Sequence, residues 1–195
     1  MINIKAIAAA SVLSLGMTAG AQAVVLDFSG VQGSNIGTVA VPGTGGPGAT
    51  INHISPTSNI LVGPGAAFHT DGFCFIEIGG SNCEADGEIV FDSAITNLSF
   101  DLDGGDPGDS VEISAFNGAT LLGSFTLTAD GNYDWSSFGT ITRLFFDDSS
   151  RGAGFGYSTF TYDVASTGDV PVPAALPLMA AGIAALGCAG YRRRA

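Results

Sequence analysis

Short segments in which apolar and polar residues alternate place the strongest constraint on the fold of this chain. The alternation is clearest in Leu98–Leu102, Val111–Ala115 and Phe125–Thr128, where every second side chain is apolar. A period of two residues is typical of half-buried β-strands, whose successive side chains point to opposite faces of a sheet. Asn117-Gly118 joins the second and third segments and predicts a tight hairpin, because these residues tolerate positive φ.

Turn signals recur about every ten residues through the rest of the middle, which predicts an all-β fold, an antiparallel sandwich. Asp130-Gly131-Asn132 predicts one further turn. Gly33–Gly65 is less regular, and its string Gly43–Gly48 fits G-x-G-x-x-G, but no helical pattern follows; we expect a flexible surface loop there rather than a dinucleotide site. Further strands are predicted at Val24–Phe28, Asn59–Val62, Phe73–Ile78, Glu88–Phe91, Thr140–Asp147 and Phe155–Val164.

The charge balance excludes one class of partner. The chain has 18 acidic and 6 basic residues, for a formal net charge of −12. Between Asp27 and Asp169 the only basic side chains are Arg143 and Arg151. Phosphate backbones are bound by clustered Lys and Arg, so nucleic acid is not an expected partner.

The N-terminal 23 residues have the organisation of a secretory signal peptide. Basic Lys5 is followed by the apolar run Ala6–Leu15, and the segment ends in Ala21-Gln22-Ala23, with the small residues that signal peptidase requires. Cleavage after Ala23 would make Val24 the first residue of the mature chain. The expected partners are therefore the Sec machinery and signal peptidase.

The C-terminus has the pattern of a membrane anchor. Residues 174–191 contain no charged side chain, and 18 residues in a helix cover about 27 Å, close to the hydrocarbon thickness of a bilayer. Arg192, Arg193 and Arg194 follow immediately and predict a cytoplasmic C-terminus, with the preceding chain outside. A buried C-terminal helix is the alternative, and the arginines argue against it.

The residues before this apolar segment resemble a known sorting signal. Val170, Pro171, Val172, Pro173 and Ala174, with the apolar segment and the arginines, resemble the VPLPA-CTERM signal of the PEP-CTERM class in Gram-negative bacteria, with Val172 in the usual place of Leu. The resemblance implies export, transient anchoring in the inner membrane, and cleavage near the proline motif by an exosortase-type protease. It further implies a cell-surface or extracellular-matrix protein associated with exopolysaccharide.

The resemblance extends to the domain between the two ends. The segment Ile95–Val164, with its hairpin and its closing Phe160–Val164, is similar to jelly-roll-like sandwich domains common among PEP-CTERM proteins. The predicted organisation is a signal peptide at 1–23, a β-sandwich domain at 24–169 and the sorting signal at 170–195.

Two cysteines lie within the predicted domain. Cys74 and Cys83 are nine residues apart across a glycine-containing turn, and export would allow them to form a disulfide. Metal ligation is the alternative, but a C-x-x-C spacing and a nearby histidine pair are missing. Cys188 lies in the predicted membrane helix.

One acidic loop is a candidate calcium site. Asp101, Asp103, Asp106 and Asp109 lie within nine residues between two predicted strands, and carboxylate oxygens on a glycine-bent loop suit calcium. The segment does not fit the EF-hand pattern, because Asp106 occupies the position of the required glycine. The alternative is a solvated acidic turn that satisfies its own backbone.

No catalytic motif is present, so the expected role is structural or glycan-associated rather than enzymatic. A secreted glycan-active hydrolase is one alternative, since glycosidases need only two carboxylates, and a calcium-stabilised binding module is another. Tyr133, Trp135, Phe155 and Tyr157 are candidates for a sugar-stacking surface, with core packing as the alternative. The candidate hydrolase carboxylates are Glu77, Glu84, Glu88 and Glu112.

Overall fold

The computed structural model describes residues 23–31, 33–63, 72–80, 82–150 and 153–165, and within these ranges the chain is all-β. A short 3₁₀ turn at Ser136–Phe138 lies between two of the strands. The strands are β1 (Ala23–Leu26), β2 (Gly33–Ile36), β3 (Thr38–Thr44), β4 (Gly46–His53), β5 (Ser58–Val62), β6 (Gly72–Glu77), β7 (Gly87–Asp103), β8 (Val111–Asn117), β9 (Thr120–Leu127), β10 (Gly131–Asp134), β11 (Ile141–Asp148) and β12 (Gly156–Val164).

Every pairing between these strands is antiparallel, which confirms the prediction of an all-β, antiparallel fold. The order across the sheet is β2-β5-β6-β12-β1-β3-β4-β7-β11-β8-β9, and β10 and β12 both pair with β7 as well. The predicted hairpin is also confirmed. Asn117 pairs with Thr120, and Gly118, with φ of 58°, begins the two-residue loop.

The long strand β7 takes part in two regions of the sheet. Its first half pairs with β4 and β11, and its second half pairs with β12 and β10. Asn97 has a positive φ of 53°, a conformation that Asn tolerates better than most residues, and it lies where β7 passes from one region to the other. The prediction of separate strands at Glu88–Phe91 and Leu98–Leu102 is therefore wrong, because one strand contains both.

Aromatic side chains fill the interior of this sandwich-like fold. Phe73 and Phe75 of β6 approach Phe146 of β11, with ring centroids 6.4 and 5.5 Å apart, although β6 and β11 do not pair as strands. Tyr157 of β12 also packs on Phe146, at 4.5 Å. All four rings are almost completely buried, so the two regions of the sheet face each other across an apolar core.

The expected surface loop within Gly33–Gly65 is replaced by strands. Gly43–Gly48 belongs to the β3–β4 hairpin, in which Gly45, with φ of 92°, forms the turn. A Cβ at Gly48 would overlap the carbonyl oxygen of Val41, so this close pairing of backbones requires glycine. The turn expected at Asp130–Asn132 falls one or two residues earlier, because Gly131 already begins β10.

Candidate functional site

A pocket rich in carboxylates lies where β5, β6 and β11 meet the segment before β7. Its volume is about 140 Å³. Four acidic side chains and three hydroxyl side chains contribute to its wall, so hydrogen-bond acceptors dominate it. The pocket is lined by Ser55, Thr57, Ser58, Glu77, Glu84, Ala85, Asp86 and Asp148.

A serine-rich turn forms one wall of this acidic pocket. The Ser58 backbone N–H and hydroxyl both donate to the Ser55 carbonyl oxygen at 3.0 Å, which closes the turn before β5. Ser58 also pairs with Glu77, the last residue of β6. The β5–β6 pairing thus places a hydroxyl and a carboxylate side by side at the pocket.

The disulfide holds a second wall in place. Cys74 and Cys83 are bonded, as predicted, and both are almost completely buried. Two residues further on, the Ala85 N–H donates to the Phe75 carbonyl oxygen at 3.2 Å. Cross-linking β6 to the segment that follows it therefore positions Glu84 and Asp86 in the pocket wall.

Asp86 and Asp148 are hydrogen-bonded neighbours in the pocket wall. The Asp148 backbone N–H donates to Asp86 Oδ1 at 2.9 Å, and the Ser150 N–H donates to Asp148 Oδ1 at 2.8 Å. Asp148 Oδ2 is buried and has no hydrogen-bond partner among the described residues. Burial raises the pKa of Asp148 to about 6 against the effect of the Ser150 hydrogen bonds, and the charges of Asp109 and Asp86 raise it further.

The same environment acts on Asp86 and on a buried tyrosine. Burial raises the pKa of Asp86, against a lowering by its hydrogen bond from Asp148. Tyr157 is 1% exposed, and its hydroxyl has no hydrogen-bond partner among the described residues. Burial raises its pKa well above 10, and the charges of Asp148 and Asp86 add to that rise. The Tyr157 hydroxyl therefore lies within the electrostatic field of the pocket carboxylates.

The candidate hydrolase carboxylates are divided between the pocket and other surfaces. Glu77 and Glu84 line the pocket. Glu88 instead pairs with Arg143 at 3.1 Å and accepts a hydrogen bond from Asn52, while Glu112 is exposed on β8. Sequence reasoning missed Asp86 and Asp148, although an Asp-Asp-Ser-Ser run at a predicted strand end could have drawn attention to Asp148.

The four aspartates of the candidate calcium loop differ in their structural surroundings. Asp109 is 3% exposed, and its Oδ2 accepts from the N–H groups of Asp106 at 2.9 Å and Gly154 at 3.3 Å. Asp101 accepts from the Asn132 side chain at 2.8 Å, and Asp103 ends β7. Within the described ranges, no three His, Cys, Asp or Glu side chains are grouped so that they could hold a metal ion. Calcium binding by this loop remains a prediction.

Core packing, rather than a sugar-stacking surface, accounts for most of the candidate aromatic residues. Trp135, Phe155 and Tyr157 are almost completely buried. Tyr133 is partly buried, and its hydroxyl donates to the Ala129 carbonyl oxygen at 2.6 Å. The three buried rings therefore do not offer an exposed flat face to a ligand.

The predicted signal peptide and the predicted C-terminal sorting signal lie almost wholly outside the described residues. This holds for Ala21, the motif from Val170 to Ala174, the apolar segment 174–191 and the arginines 192–194. Ala23 and Val24, which flank the predicted cleavage bond, are the first two residues of β1. The described part of the chain contains no helix with the length and hydropathy of a membrane span.

No known protein family matches this chain, and no curated protein or solved structure is significantly similar to it.

Proposed function

We propose that this protein is exported to the cell surface or extracellular matrix and binds polysaccharide through the acidic pocket. In this proposal the Sec machinery and signal peptidase process the N-terminus, and an exosortase-type protease acts on the C-terminal signal after transient anchoring in the inner membrane. The buried Cys74–Cys83 disulfide supports export, since such bonds persist in oxidising compartments. We assign the domain to the jelly-roll-like sandwiches associated with the PEP-CTERM class.

The observation that carries the binding role is the arrangement of Asp148 in the pocket. Its carboxylate is half-buried beside Asp86 and near the charge of Asp109, and its buried Oδ2 lacks a hydrogen-bond partner within the described residues. An arrangement of this kind lowers the stability of the fold, because burial and like charges disfavour the ionised form. Residues that lower the stability of the fold are typical of functional sites.

The chemistry of the pocket selects the kind of polysaccharide. Sugar hydroxyls donate hydrogen bonds, and ionised carboxylates are strong acceptors for them. Ser55, Thr57 and Ser58 add hydroxyls that both donate and accept. Uronate polymers would be repelled by Glu77, Glu84, Asp86 and Asp148. The proposed ligand is therefore a neutral or amino-sugar polymer.

Retention of the exported protein on immobilised polymers tests the proposal. The probes are a neutral glucan, an amino-sugar polymer and a polyuronate, each with calcium and with chelator. We expect retention on one of the first two that is independent of calcium and about tenfold weaker in Asp148→Asn, the loss expected for one charge-assisted hydrogen bond. Asp92→Asn is the matched control, since it removes one exposed charge outside the pocket. Equal weakening by both variants would reduce the interaction to general charge attraction.

A glycan-active hydrolase is the second candidate, and one observation favours it. A carboxyl group with a pKa of about 6 beside a second carboxylate is the combination that general acid catalysis of glycoside cleavage uses. This function predicts release of reducing ends from the retained polymer, with loss of release in Asp148→Asn. Retention without release excludes the hydrolase and leaves the binding role.

A calcium-stabilised module is tested by the melting temperature. It predicts a rise with added calcium that disappears in Asp103→Ala and Asp106→Ala. An unchanged melting temperature would exclude it.

A further inference from the structure

The loop between β8 and β9 contains a chemically reactive pair of residues. Asn117 is the only asparagine of the sequence that is followed by glycine. Both Asn117 and Gly118 are exposed, and the Asn117 side chain has no hydrogen-bond partner within the described residues. Asparagine is among the residues that degrade spontaneously in proteins, and glycine has no side chain to shield its backbone nitrogen. The pair is therefore open to deamidation.

Deamidation at this pair needs no reagent except water. The Gly118 backbone nitrogen attacks the side-chain carbonyl carbon of Asn117 and gives up its proton. A new carbon–nitrogen bond forms, the bond to the side-chain nitrogen breaks, and that nitrogen leaves as ammonia with the proton. Water then opens the five-membered succinimide at one of its two carbonyl groups. The product is aspartate or isoaspartate, and either one carries a new negative charge.

A hydroxyl group on the neighbouring strand holds the attacking nitrogen. Arg143 pairs with Phe116, so Thr142, one residue earlier on β11, lies beside the hairpin loop. The Gly118 N–H donates to the Thr142 hydroxyl oxygen at 2.8 Å. The same hydroxyl donates to the Phe116 carbonyl oxygen at 3.2 Å, which leaves its lone pairs to accept from Gly118.

We infer that Asn117 is a site of spontaneous deamidation and that the Thr142 hydroxyl slows this reaction in the folded protein. The Gly118 nitrogen must lose its proton and approach the Asn117 side chain, and its hydrogen bond to Thr142 opposes both steps. Thr142 is thus a positioning residue that acts through Gly118.

The modification would change the hairpin itself. Asn117 pairs with Thr120 at the end of the β8–β9 ladder. Isoaspartate adds one methylene group to the main chain at this residue, so it shifts the register at the end of the hairpin. The Thr142 hydroxyl therefore protects the geometry of the loop as well as its charge.

Two substitutions of Thr142 separate the hydroxyl from the shape of the side chain. Thr142→Val keeps the branched shape and removes the acceptor, whereas Thr142→Ser keeps the hydroxyl. Gly87→Ala is the control for stability, because an added Cβ would overlap the Phe75 ring and weaken the fold while the Thr142 bond stays in place.

The readout is the fraction of Asn117 converted during incubation at mildly alkaline pH, measured by peptide mass mapping and by isoaspartate content. The unaltered protein, Thr142→Ser and Gly87→Ala should convert slowly when folded. Folded Thr142→Val should convert about fivefold faster, the factor that corresponds to one hydrogen bond of average strength. In guanidinium chloride all four chains should convert at one common, faster rate, because unfolding removes the bond from each of them.

Four results would overturn the inference. Folded Thr142→Val could convert at the rate of the unaltered protein, or Thr142→Ser could convert as fast as Thr142→Val. Equal acceleration by Gly87→Ala would assign the effect to unfolding rather than to the hydroxyl. Absence of conversion at Asn117 in the unfolded chain would exclude the site itself. None of these results bears on polysaccharide binding, because the acidic pocket contains neither Asn117 nor Thr142.

Discussion

The backbone N–H of Asp148 donates a 2.9 Å hydrogen bond to the carboxylate of Asp86, so the last residue of β11 and the residue before β7 place two acids together. The bond stabilises the ionised form of Asp86, while burial acts in the opposite direction on both groups. The fold therefore keeps two carboxyl groups in a pocket where burial favours their protonated forms. The consequences of this arrangement are measurable in stability as well as in binding.

Stability should fall as pH rises through the titration of Asp148. Its pKa is about 6 in the folded protein, against 3.8 for an unperturbed aspartate of the unfolded chain, so the folded form binds the proton more tightly. The contribution of this group to the free energy of unfolding is largest below about pH 4, decreases between pH 4 and 6, and is smallest above that range. From about pH 5 to about pH 7.5 the loss from this group is about 1.4 kcal/mol. Urea unfolding at both pH values measures it.

Replacing Asp148 by Asn should flatten this dependence. The variant keeps an oxygen to accept from Ser150 and removes the charge that lies near Asp86 and Asp109. We expect a more stable protein at pH 7.5, with only the smaller contribution of Asp86 left in the slope between pH 5 and 7.5. The account fails on this point if the variant is less stable at pH 7.5 and keeps the full slope.

Loss of the disulfide should destabilise the fold and loosen the pocket. The Cys74–Cys83 bond closes a short loop, and the chain-entropy model assigns it about 2–3 kcal/mol. For a domain of this size, Cys74→Ser should lower the melting temperature by about 5–10 °C. Adding a reductant to Cys74→Ser should lower the melting temperature no further, because the bond is already absent. If Cys74→Ser melts at the temperature of the unaltered protein, the bond does not stabilise the fold.

A methyl group at Gly87 should disturb the core. A Cβ there would overlap the Phe75 ring, which is packed against Phe146 and Tyr157. Gly87→Ala should cost about 1–3 kcal/mol, as overpacking in a filled interior does. Gly30→Ala is matched to it, since nothing lies within 4 Å of the added Cβ, and it should change stability little. Chemical denaturation measures the free energy of unfolding of the two variants. Equal values would contradict the described packing.

The mature chain should begin at Val24. Val24 is fully buried in β1 and pairs with Tyr162, so the bond before it is accessible only before the domain folds. Cleavage during export meets that condition, because the chain crosses the membrane unfolded. Intact mass and N-terminal sequencing of the exported protein identify the first residue. A start several residues later would remove part of β1 and is not compatible with this fold.

Local sequence patterns predicted the elements that depend on residues close together in the chain. Alternation identified β8 and the second half of β7, Gly118 marked the hairpin, and the spacing of Cys74 and Cys83 predicted their bond. The β3–β4 hairpin was missed because its glycines break strand propensity, while the structure needs them for the close approach of two backbones.

The pocket could not be read from the sequence. Ser58, Glu77, Asp86 and Asp148 come from four separate segments, and only the pairing of β5 with β6 and the bond from Asp148 to Asp86 bring them together. Such long-range pairings leave no periodic pattern in a single sequence. The hydrogen bond between Asp109 and the backbone of Gly154 could not be predicted for the same reason, because Gly154 lies 45 residues further along the chain.

The most direct test of the central claim is retention of the exported protein on a neutral glucan and on an amino-sugar polymer, compared with Asp148→Asn and Asp92→Asn. The account predicts that one of the two polymers retains the unaltered protein and Asp92→Asn alike, and that Asp148→Asn binds about tenfold more weakly although it is the more stable fold. Failure of both polymers to retain the unaltered protein, with calcium or with chelator, would contradict a polysaccharide site in the acidic pocket.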